Sequence, residues 1–400
     1  MAKNFHRKIL KNGMTVLFEK RDIPVVSIAF AVRSGGINED LSEKGISHFI
    51  EHLLYKGTKK RDAKKIAEEI EKNGGELNGF TGEEITAFWC KIPSKHISLA
   101  LDVLSDMIKN PLLDKKELEK EREVIFEEIK MHRDSPRLYV LEKIQGLLYS
   151  GTLGKPLIGD YKTMQGIDRQ KILKKFRETY RTGNLILCVV GNADFNEIVN
   201  FAEKNFKKGK SRVFKLKIIL KTESKIEKRK GIDQANMIFA YHVPLARDKK
   251  NYVAQVLSAL MTRGMSSRLF TEIREKRNLA YTISGGASIN KNFSHNIIYA
   301  GAKKENVEKI KKLILKEFEK VSKNLKEKEL RQVQEQIIGN HQIAVEDSQD
   351  QMVNLLAYEL FGDAREFYDF EKNILEVKLK DVKNLAKIKK YSFFALVPEE

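Results

Sequence analysis

Residues 45–58, GISHFIEHLLYKGT, carry the most informative pattern in this chain. The pattern predicts a helix over residues 45–55. Positions four apart on a helix lie one above the other on the same face, so His48 and His52 can direct their imidazole nitrogens at a single metal ion. Glu51 flanks the same face and can reach a water molecule beside that ion without being a ligand. This H-x-x-E-H order is the reverse of the H-E-x-x-H arrangement of many zinc enzymes.

A third ligand is needed, because catalytic zinc usually has three protein ligands and one open position. The segment EREVIFEEIKMH, residues 121–132, is acidic and strongly helical. Its Glu128 is a candidate ligand. Glu121, two turns earlier on the same face, is a candidate for orienting a ligand histidine. His132 is an alternative ligand that we interpret as a surface residue. From these residues alone a chance motif and a solvated acidic face remain open alternatives.

The remaining histidines and both cysteines do not lie in metal-ligand spacings. Cys90 and Cys188 are distant in sequence, and neither lies in a paired metal-binding spacing. They therefore form no disulfide framework and favour a reducing compartment. The isolated histidines are interpreted as structural or surface residues, and they are His6, His96, His242, His295 and His341.

The composition is that of a folded globular protein. Hydrophobic residues make up 42% of 400 residues, enough for large cores and two or three domains. Lys and Arg outnumber Asp and Glu by 74 to 55, a formal charge of +19, which is compatible with a nucleic-acid or membrane-surface partner. Segments such as ENVEKIKKLILKEFEK intersperse both signs at helical spacing, which is typical of a solvated surface. Because no recognition motif is present, we expect no specific nucleic-acid partner.

The N-terminal segment MAKNFHRKILKNGMTVLFEK shows no secretory signal. It lacks both the apolar core of about 7–15 residues and the small-residue cleavage site of such a signal. No window reaches the ~18 consecutive apolar residues of a spanning helix. We expect a cytoplasmic protein that does not associate with a membrane.

Two halves of the chain show the same order of predicted elements. Strand, helix, helix, strand, strand and helix are predicted in the first half at 25–33, 45–55, 63–73, 76–80, 85–92 and 95–109. The same order is predicted in the second half at 237–242, 249–262, 266–276, 280–288, 295–301 and 304–322. Further strands are predicted at 13–20 and 185–190, and one long helix at 115–148. Where the first half has HFIEH, the second has VAQVLSALM, which offers no metal ligand.

The segment 205–232 is strongly basic, with strand character in its middle. We place a domain boundary there, which gives domains 1–210 and 211–400.

Taken together, the motifs resemble the family of pitrilysin, insulysin and the mitochondrial processing peptidase, zinc peptidases of the inverzincin type. The resemblance extends over nearly the whole chain. It rests on NGMTVLFEK, GISHFIEHLLYKGT, GGELNGFTGEEITAFWCKIP, EREVIFEEI, GKPLIGD, NLILCVVGNAD, SSRLFTEIREKRNLAY and IAVEDSQDQM, in that order. It implies an α+β fold of two topologically similar domains, each a mostly antiparallel β-sheet with α-helices on one side.

The resemblance also implies the roles of the metal-site residues. The third zinc ligand of the family is the second Glu of an EE pair, which here is Glu128, beside His48 and His52. One zinc ion per chain is implied, with Glu51 as general base. The family's glutamate seven positions earlier matches Glu121, the partner of a ligand histidine.

Two further segments gain a role from the resemblance. The strand containing Asn78, Gly79 and Phe80 borders the active site in the family and pairs with the substrate backbone; the family usually has Ala where this chain has Gly79. In the second half, Arg274 and Tyr281 match an arginine and a tyrosine that active members bring to the scissile peptide. Without the resemblance, both segments are interpreted as ordinary structural elements.

The resulting prediction is a zinc metallo-endopeptidase that hydrolyses peptides or unfolded segments. Family members enclose substrate between two bowl-like halves, and a chain of this length supplies one half. The resemblance therefore implies a dimer, most simply a homodimer, although a heterodimer with a paralogue is compatible with the sequence. The competing hypotheses are a non-catalytic scaffold subunit and a nucleic-acid-associated protein.

Overall fold

The computed structural model describes residues 4–210 and 218–399. The described chain forms two compact units, and neither is contiguous in sequence. The first unit comprises residues 4–130, 155–210 and 344–368, and the second comprises 131–154, 218–343 and 369–399. Within the described residues, no helix combines the length and apolar composition that crossing a membrane would require.

The described residues form strands and helices in the following order. The strands are β1 (Phe5–Ile9), β2 (Thr15–Lys20), β3 (Val25–Val32), β4 (Glu76–Thr81), β5 (Thr86–Pro93), β6 (Leu185–Gly191), β7 (Ser224–Arg229), β8 (Ala235–His242), β9 (Ala280–Ile289), β10 (Ser294–Ala302) and β11 (Ser392–Pro398). The helices are α1 (Ile46–Leu54), α2 (Ala63–Glu71), α3 (Ile97–Lys109), α4 (Lys115–Asp134), α5 (Pro136–Leu148), α6 (Tyr161–Gly166), α7 (Arg169–Thr179), α8 (Phe195–Asn205), α9 (Lys250–Thr262), α10 (Val307–Asn324), α11 (Glu327–Ala344), α12 (Ser348–Phe361), α13 (Phe370–Leu375) and α14 (Leu379–Leu385).

The first unit is built on a six-stranded sheet in the order β1-β2-β6-β3-β5-β4. Only the β2–β6 pair is parallel. The strands alternate apolar side chains between the two faces, and both faces are buried. One face packs against α1, α2 and α3, where Phe49 and Leu53 of α1 enter the core. The other face packs against α12 through Met352, Leu355 and Leu356.

The second unit repeats this arrangement with five strands in the order β7-β11-β8-β10-β9. Again one pair, β11–β7, is parallel and the others are antiparallel. Strands β7 to β11 therefore correspond in position to β2, β3, β4, β5 and β6 of the first sheet. Helices α9 and α10 pack on one face. Helix α5 contacts β8 and β11 and places Tyr139 6.3 Å, between ring centroids, from Phe394.

The predicted fold class is confirmed, including the repeated order of elements and the mostly antiparallel sheets. The description of helices on one side is too narrow in one respect, because α12 and α5 each cover a second sheet face. Both helices belong, in sequence, to the half opposite the sheet they cover. The amphipathic pattern of a helix shows which face is buried, but it does not show which sheet buries that face.

Two predicted helices differ from those observed. The helix expected at 115–148 is two helices, because Pro136 begins α5 and disfavours helical backbone at Ser135, whose hydroxyl caps α5 by accepting from Leu138 N–H at 3.5 Å. The helix expected at 266–276 contains a π-helix over Phe270–Glu275. The middle of the predicted boundary segment, residues 211–217, lies outside the described residues, and the division into domains 1–210 and 211–400 stays a prediction.

Candidate metal centre

Helix α1 is anchored at its N-terminus by a buried carboxylate. Glu39 accepts hydrogen bonds from the backbone N–H groups of Gly45 at 2.9 Å and Ser47 at 2.7 Å. An acidic group at this position satisfies free donors and complements the positive end of the helix dipole. Gly45 precedes the helix with φ +96°, a conformation that favours glycine. The helix start is thus well defined, and with it the direction of the side chains that follow.

Three side chains converge next to this helix. Glu128 Oε2, from α4, lies 3.6 Å from His48 Nε2 and 3.9 Å from His52 Nε2. One ligand atom from each residue lies within 4.8 Å of the other two. In a tetrahedral site with bonds of ~2.0–2.2 Å, ligand atoms lie about 3.3–3.6 Å apart. The donor set of two imidazoles and one carboxylate therefore fits zinc in its chemistry, and the two separations from Glu128 lie within about 0.3 Å of this range. Within the described residues, no other such group of three or more is present.

Glu121 lies behind the cluster and contacts His52 from the side away from Glu128. Its carboxylate is 3.1 Å from His52 Nδ1 and 2.7 Å from Lys56 Nζ. Burial alone would raise the pKa of Glu121, but the contacts with His52 and Lys56 outweigh burial and lower that pKa. An ionised Glu121 accepts a hydrogen bond from His52 Nδ1–H. In that tautomer the lone pair of His52 Nε2, on the side of Glu128, is available to bind a metal ion.

Lys56 was not singled out by the sequence analysis. It lies four residues after His52, and this spacing was the available signal that both side chains share a face near the end of α1.

Glu51 lies beside the cluster and is held by the neighbouring strand. Its Oε2 accepts a hydrogen bond from Thr81 Oγ1 at 2.5 Å. Burial raises the pKa of Glu51, and the Thr81 hydrogen bond offsets this only in part. A carboxylate with a raised pKa is a stronger base than an exposed one. Thr81 was also missed in the sequence, although it directly follows the three predicted substrate-contact residues.

Strand β4 is the edge strand of the first sheet. It pairs with β5, with Asn78 opposite Trp89 and Gly79 opposite Phe88. Its other edge is unpaired within the described residues. Asn78 is exposed, and Gly79 and Phe80 are half-buried. An unpaired strand edge can accept an additional strand through backbone hydrogen bonds.

The other predicted residues lie in the second unit. Arg274 is exposed and lies over the Phe270 ring, 4.9 Å from its centroid. Tyr281, near the start of β9, is 54% exposed. His132 is not part of the ligand group; its Nδ1 lies 2.6 Å from Glu142 Oε1.

Comparison with known families matches both halves of the chain. The model of the insulinase family, peptidase family M16, matches residues 15–161, and the model of the peptidase M16 inactive domain matches residues 166–337. An uncharacterised zinc protease of Rickettsia felis is 34% identical over 352 residues, covering 86% of this chain and 85% of that protein. The uncharacterised zinc protease YmxG of Bacillus subtilis is 29% identical, covering 86% of each chain.

Solved structures share the fold. A protease from Helicobacter pylori superposes with a TM-score of 0.90 at 22% identity, covering 98% of this chain and 99% of that chain. A peptidase M16 inactive domain from Pseudomonas fluorescens gives a TM-score of 0.90 at 18% identity, covering 99% and 98%. The fold and the H-x-x-E-H site define the class of zinc metallopeptidases. The chain belongs within that class to the insulinase family, peptidase family M16.

Proposed function

We propose that this protein is a zinc metallo-endopeptidase that hydrolyses peptides or unfolded protein segments, with one zinc ion per chain. The observation that carries the proposal is the convergence of His48, His52 and Glu128, whose ligand atoms lie within 4.8 Å of one another, with Glu51 nearby. These three side chains would hold the metal. The names of the curated relatives as zinc proteases support the choice of metal.

The chemistry divides between the metal and the residues around it. A zinc ion in such a site supplies Lewis acidity, which strengthens water as a nucleophile near neutral pH and polarises the scissile carbonyl. Glu51 acts as general base and takes a proton from the attacking water as the carbon–oxygen bond forms. It then donates the proton to the amine nitrogen as the carbon–nitrogen bond breaks. Thr81 keeps the Glu51 carboxylate in one orientation throughout.

The edge of β4 is the proposed substrate-binding surface. An extended peptide would pair with the backbone at Asn78, Gly79 and Phe80 as an additional strand. Backbone pairing selects for extended conformation and tolerates varied side chains. This mode of binding suits unfolded segments and excludes folded proteins.

Residues of the second unit complete the proposed site in trans. In a dimer, Tyr281 of one chain would donate a hydrogen bond to the oxyanion that develops on the substrate bound to its partner. Arg274 would orient substrate carbonyl groups. Co-expression of a Glu51→Gln chain with a Tyr281→Phe chain tests this arrangement. Recovered activity is expected in the mixed dimer, and activity no higher than in either parent would contradict action in trans.

The catalytic proposal is tested by cleavage of a quenched fluorescent peptide library. Wild-type protein and Glu51→Gln are compared, and zinc is quantified in both. We expect zinc in both proteins and cleavage only in the wild type, because the substitution removes the base and retains the ligands. Equal cleavage by the two proteins would contradict the role of Glu51. Zinc without cleavage in the wild type would contradict the proposed activity of this chain alone.

A further inference from the structure

Tyr55 places a buried hydroxyl group close to the proposed catalytic base. It lies at the C-terminal end of α1, four residues after Glu51, and its ring is 5.9 Å from that of Phe88, between centroids. The Tyr55 oxygen is inaccessible to solvent and has no hydrogen-bond partner within the described residues. A buried hydroxyl without a partner is costly, so its position calls for an explanation.

The Tyr55 hydroxyl lies against strand β4, at Gly79. A Cβ atom added to Gly79 would lie 2.6 Å from Tyr55 Oη and 2.9 Å from the Ala87 carbonyl oxygen. The same point is 3.4 Å from Glu51 Oε1. The Tyr55 hydroxyl and the Ala87 carbonyl oxygen therefore both occupy the space that a side chain at position 79 would need.

The crowding at Gly79 connects directly to Glu51. Residues two apart on a strand face the same side, so positions 79 and 81 of β4 both face α1. Thr81 holds the Glu51 carboxylate at 2.5 Å. A shift of β4 at Gly79 would move Thr81 and the Glu51 carboxylate that it orients. It would also move the strand edge proposed to bind substrate.

We propose that Tyr55 and Gly79 form a matched pair that sets how closely strand β4 approaches Glu51. Tyr55 is a positioning residue for peptide hydrolysis, and Gly79 is required because Tyr55 Oη and the Ala87 carbonyl oxygen together fill the space of a Cβ atom at position 79. The inference rests on the proposed function for its catalytic part.

A double-substitution cycle tests the pair with two independent readouts. The variants are Gly79→Ala, Tyr55→Phe and their combination, each assayed for kcat, KM, zinc content and thermal unfolding of the metal-free protein. Gly82→Ala is the matched control, because a Cβ there meets nothing closer than 3.6 Å.

If Tyr55 and Gly79 act as a pair, the effects of the two substitutions on kcat and on thermal unfolding should be strongly non-additive. Gly79→Ala should lower kcat by about 100-fold, since a displacement of about 1 Å can cost that much, with zinc content unchanged. It should also lower the melting temperature of the metal-free protein by about 2–4 °C or more. Tyr55→Phe alone should lower kcat by a smaller factor than Gly79→Ala, with zinc content unchanged, because loss of the hydroxyl loosens the packing of β4 next to Glu51. In the Tyr55→Phe background, Gly79→Ala should cost less in both readouts than it does in the wild type, and the cost that remains is due to the Ala87 carbonyl oxygen.

The outcomes separate this inference from the proposed function. Additive effects in both readouts, or a Gly79→Ala variant indistinguishable from Gly82→Ala, would overturn the pair. If the wild type cleaves no peptide, the proposed function fails, while the unfolding cycle on metal-free protein still decides the pair. If Gly79→Ala does not fold, folding of the combined variant supports the pair, and failure of both overturns it.

Discussion

Helices α1 and α9 occupy the same place in two copies of one topology, yet of the two only α1 carries candidate metal ligands. Each follows the central strand of its sheet, β3 or β8, and packs against that sheet. Helix α1 brings His48 and His52 to Glu128, and its Glu51 lies near enough to His52 and Glu128 to feel their charge. Helix α9 is buried along nearly its whole length, and most of its buried residues are small or apolar. The fold therefore provides a place for a site, and the chemistry depends on which side chains occupy it.

The same contrast holds for the edge strands. Strands β4 and β9 occupy corresponding ends of the two sheets. Strand β4 is tied to the site through Thr81 and Glu51, whereas β9 carries the exposed Tyr281. The first copy holds the proposed metal and base, and the second copy is proposed to supply groups that act on bound substrate.

The largest effect that separates the two copies is expected at Glu128. We expect Glu128→Gln to lose zinc and peptidase activity together, because the neutral amide is a much weaker zinc ligand than a carboxylate. Glu127→Gln is the matched control on the same helix, where the side chain is 77% exposed. Zinc content by elemental analysis and peptide cleavage measure both. Retention of one zinc ion by Glu128→Gln would show that α4 contributes no essential zinc ligand.

A smaller effect is expected from the second copy. Tyr281→Phe should lower kcat by about 10²–10³-fold, the usual effect of removing one oxyanion donor, without loss of zinc. Tyr161→Phe, which alters a partly exposed tyrosine of the first unit, is the control. A Tyr281→Phe enzyme with the wild-type kcat would show that the second copy has no part in the chemistry.

A smaller effect, on zinc affinity, is expected at Glu121, which contacts the candidate ligand His52. Glu121→Gln should weaken zinc affinity by about 10–100-fold, as is usual for partners of ligand histidines, because the amide no longer fixes the His52 tautomer with a charge. The exposed Glu123 on the same helix provides the control Glu123→Gln. Competition with a zinc chelator measures the affinities. Equal affinities for the two variants would argue that Glu121 serves only Lys56.

A separate effect, on stability and not on catalysis, is expected in the second unit. Burial, with a contribution from His242, lowers the pKa of His295 to about 4, against about 6.5 in an unfolded chain. Between these values the unfolded state binds a proton that the folded state does not, so stability falls as pH falls from about 6.5 to 4. The loss should be about 3 kcal/mol.

Unfolding of the metal-free protein in denaturant measures this pH dependence without interference from zinc release. His295→Gln, which does not titrate, should show a shallower decline over the same range. The side chain of His295 is otherwise held by Tyr149, with 3.0 Å between Nδ1 and the hydroxyl oxygen. An unchanged pH slope in the variant would assign the acid sensitivity to other groups.

Much of the site followed from the sequence because its signals are local. The i, i+4 spacing of His48 and His52 and the position of Glu51 between them specify one helix face. Glu128 lies 76 residues beyond His52, and only the family resemblance selected it from several glutamates. Thr81 and Lys56 were not found, because their contacts depend on how β4 and α4 pack against α1.

The fold shows the same limit. The repeated order of strands and helices was predictable from periodicity, and the strand pairings agree with it. The placement of α12 and α5 on the second faces of the sheets was not predictable. An apolar helix face shows that the face is buried, but it does not show which sheet buries it. The break between α4 and α5 had a local signal in Ser135 and Pro136 that the long acidic helix pattern obscured.

The most direct test of the account is a crystal structure of zinc-loaded protein with anomalous diffraction recorded at the zinc absorption edge. We expect one anomalous peak per chain, within bonding distance of His48 Nε2, His52 Nε2 and a Glu128 carboxylate oxygen, and none beside α9. A peak at another position, or protein that binds no zinc when purified without chelator, would contradict it.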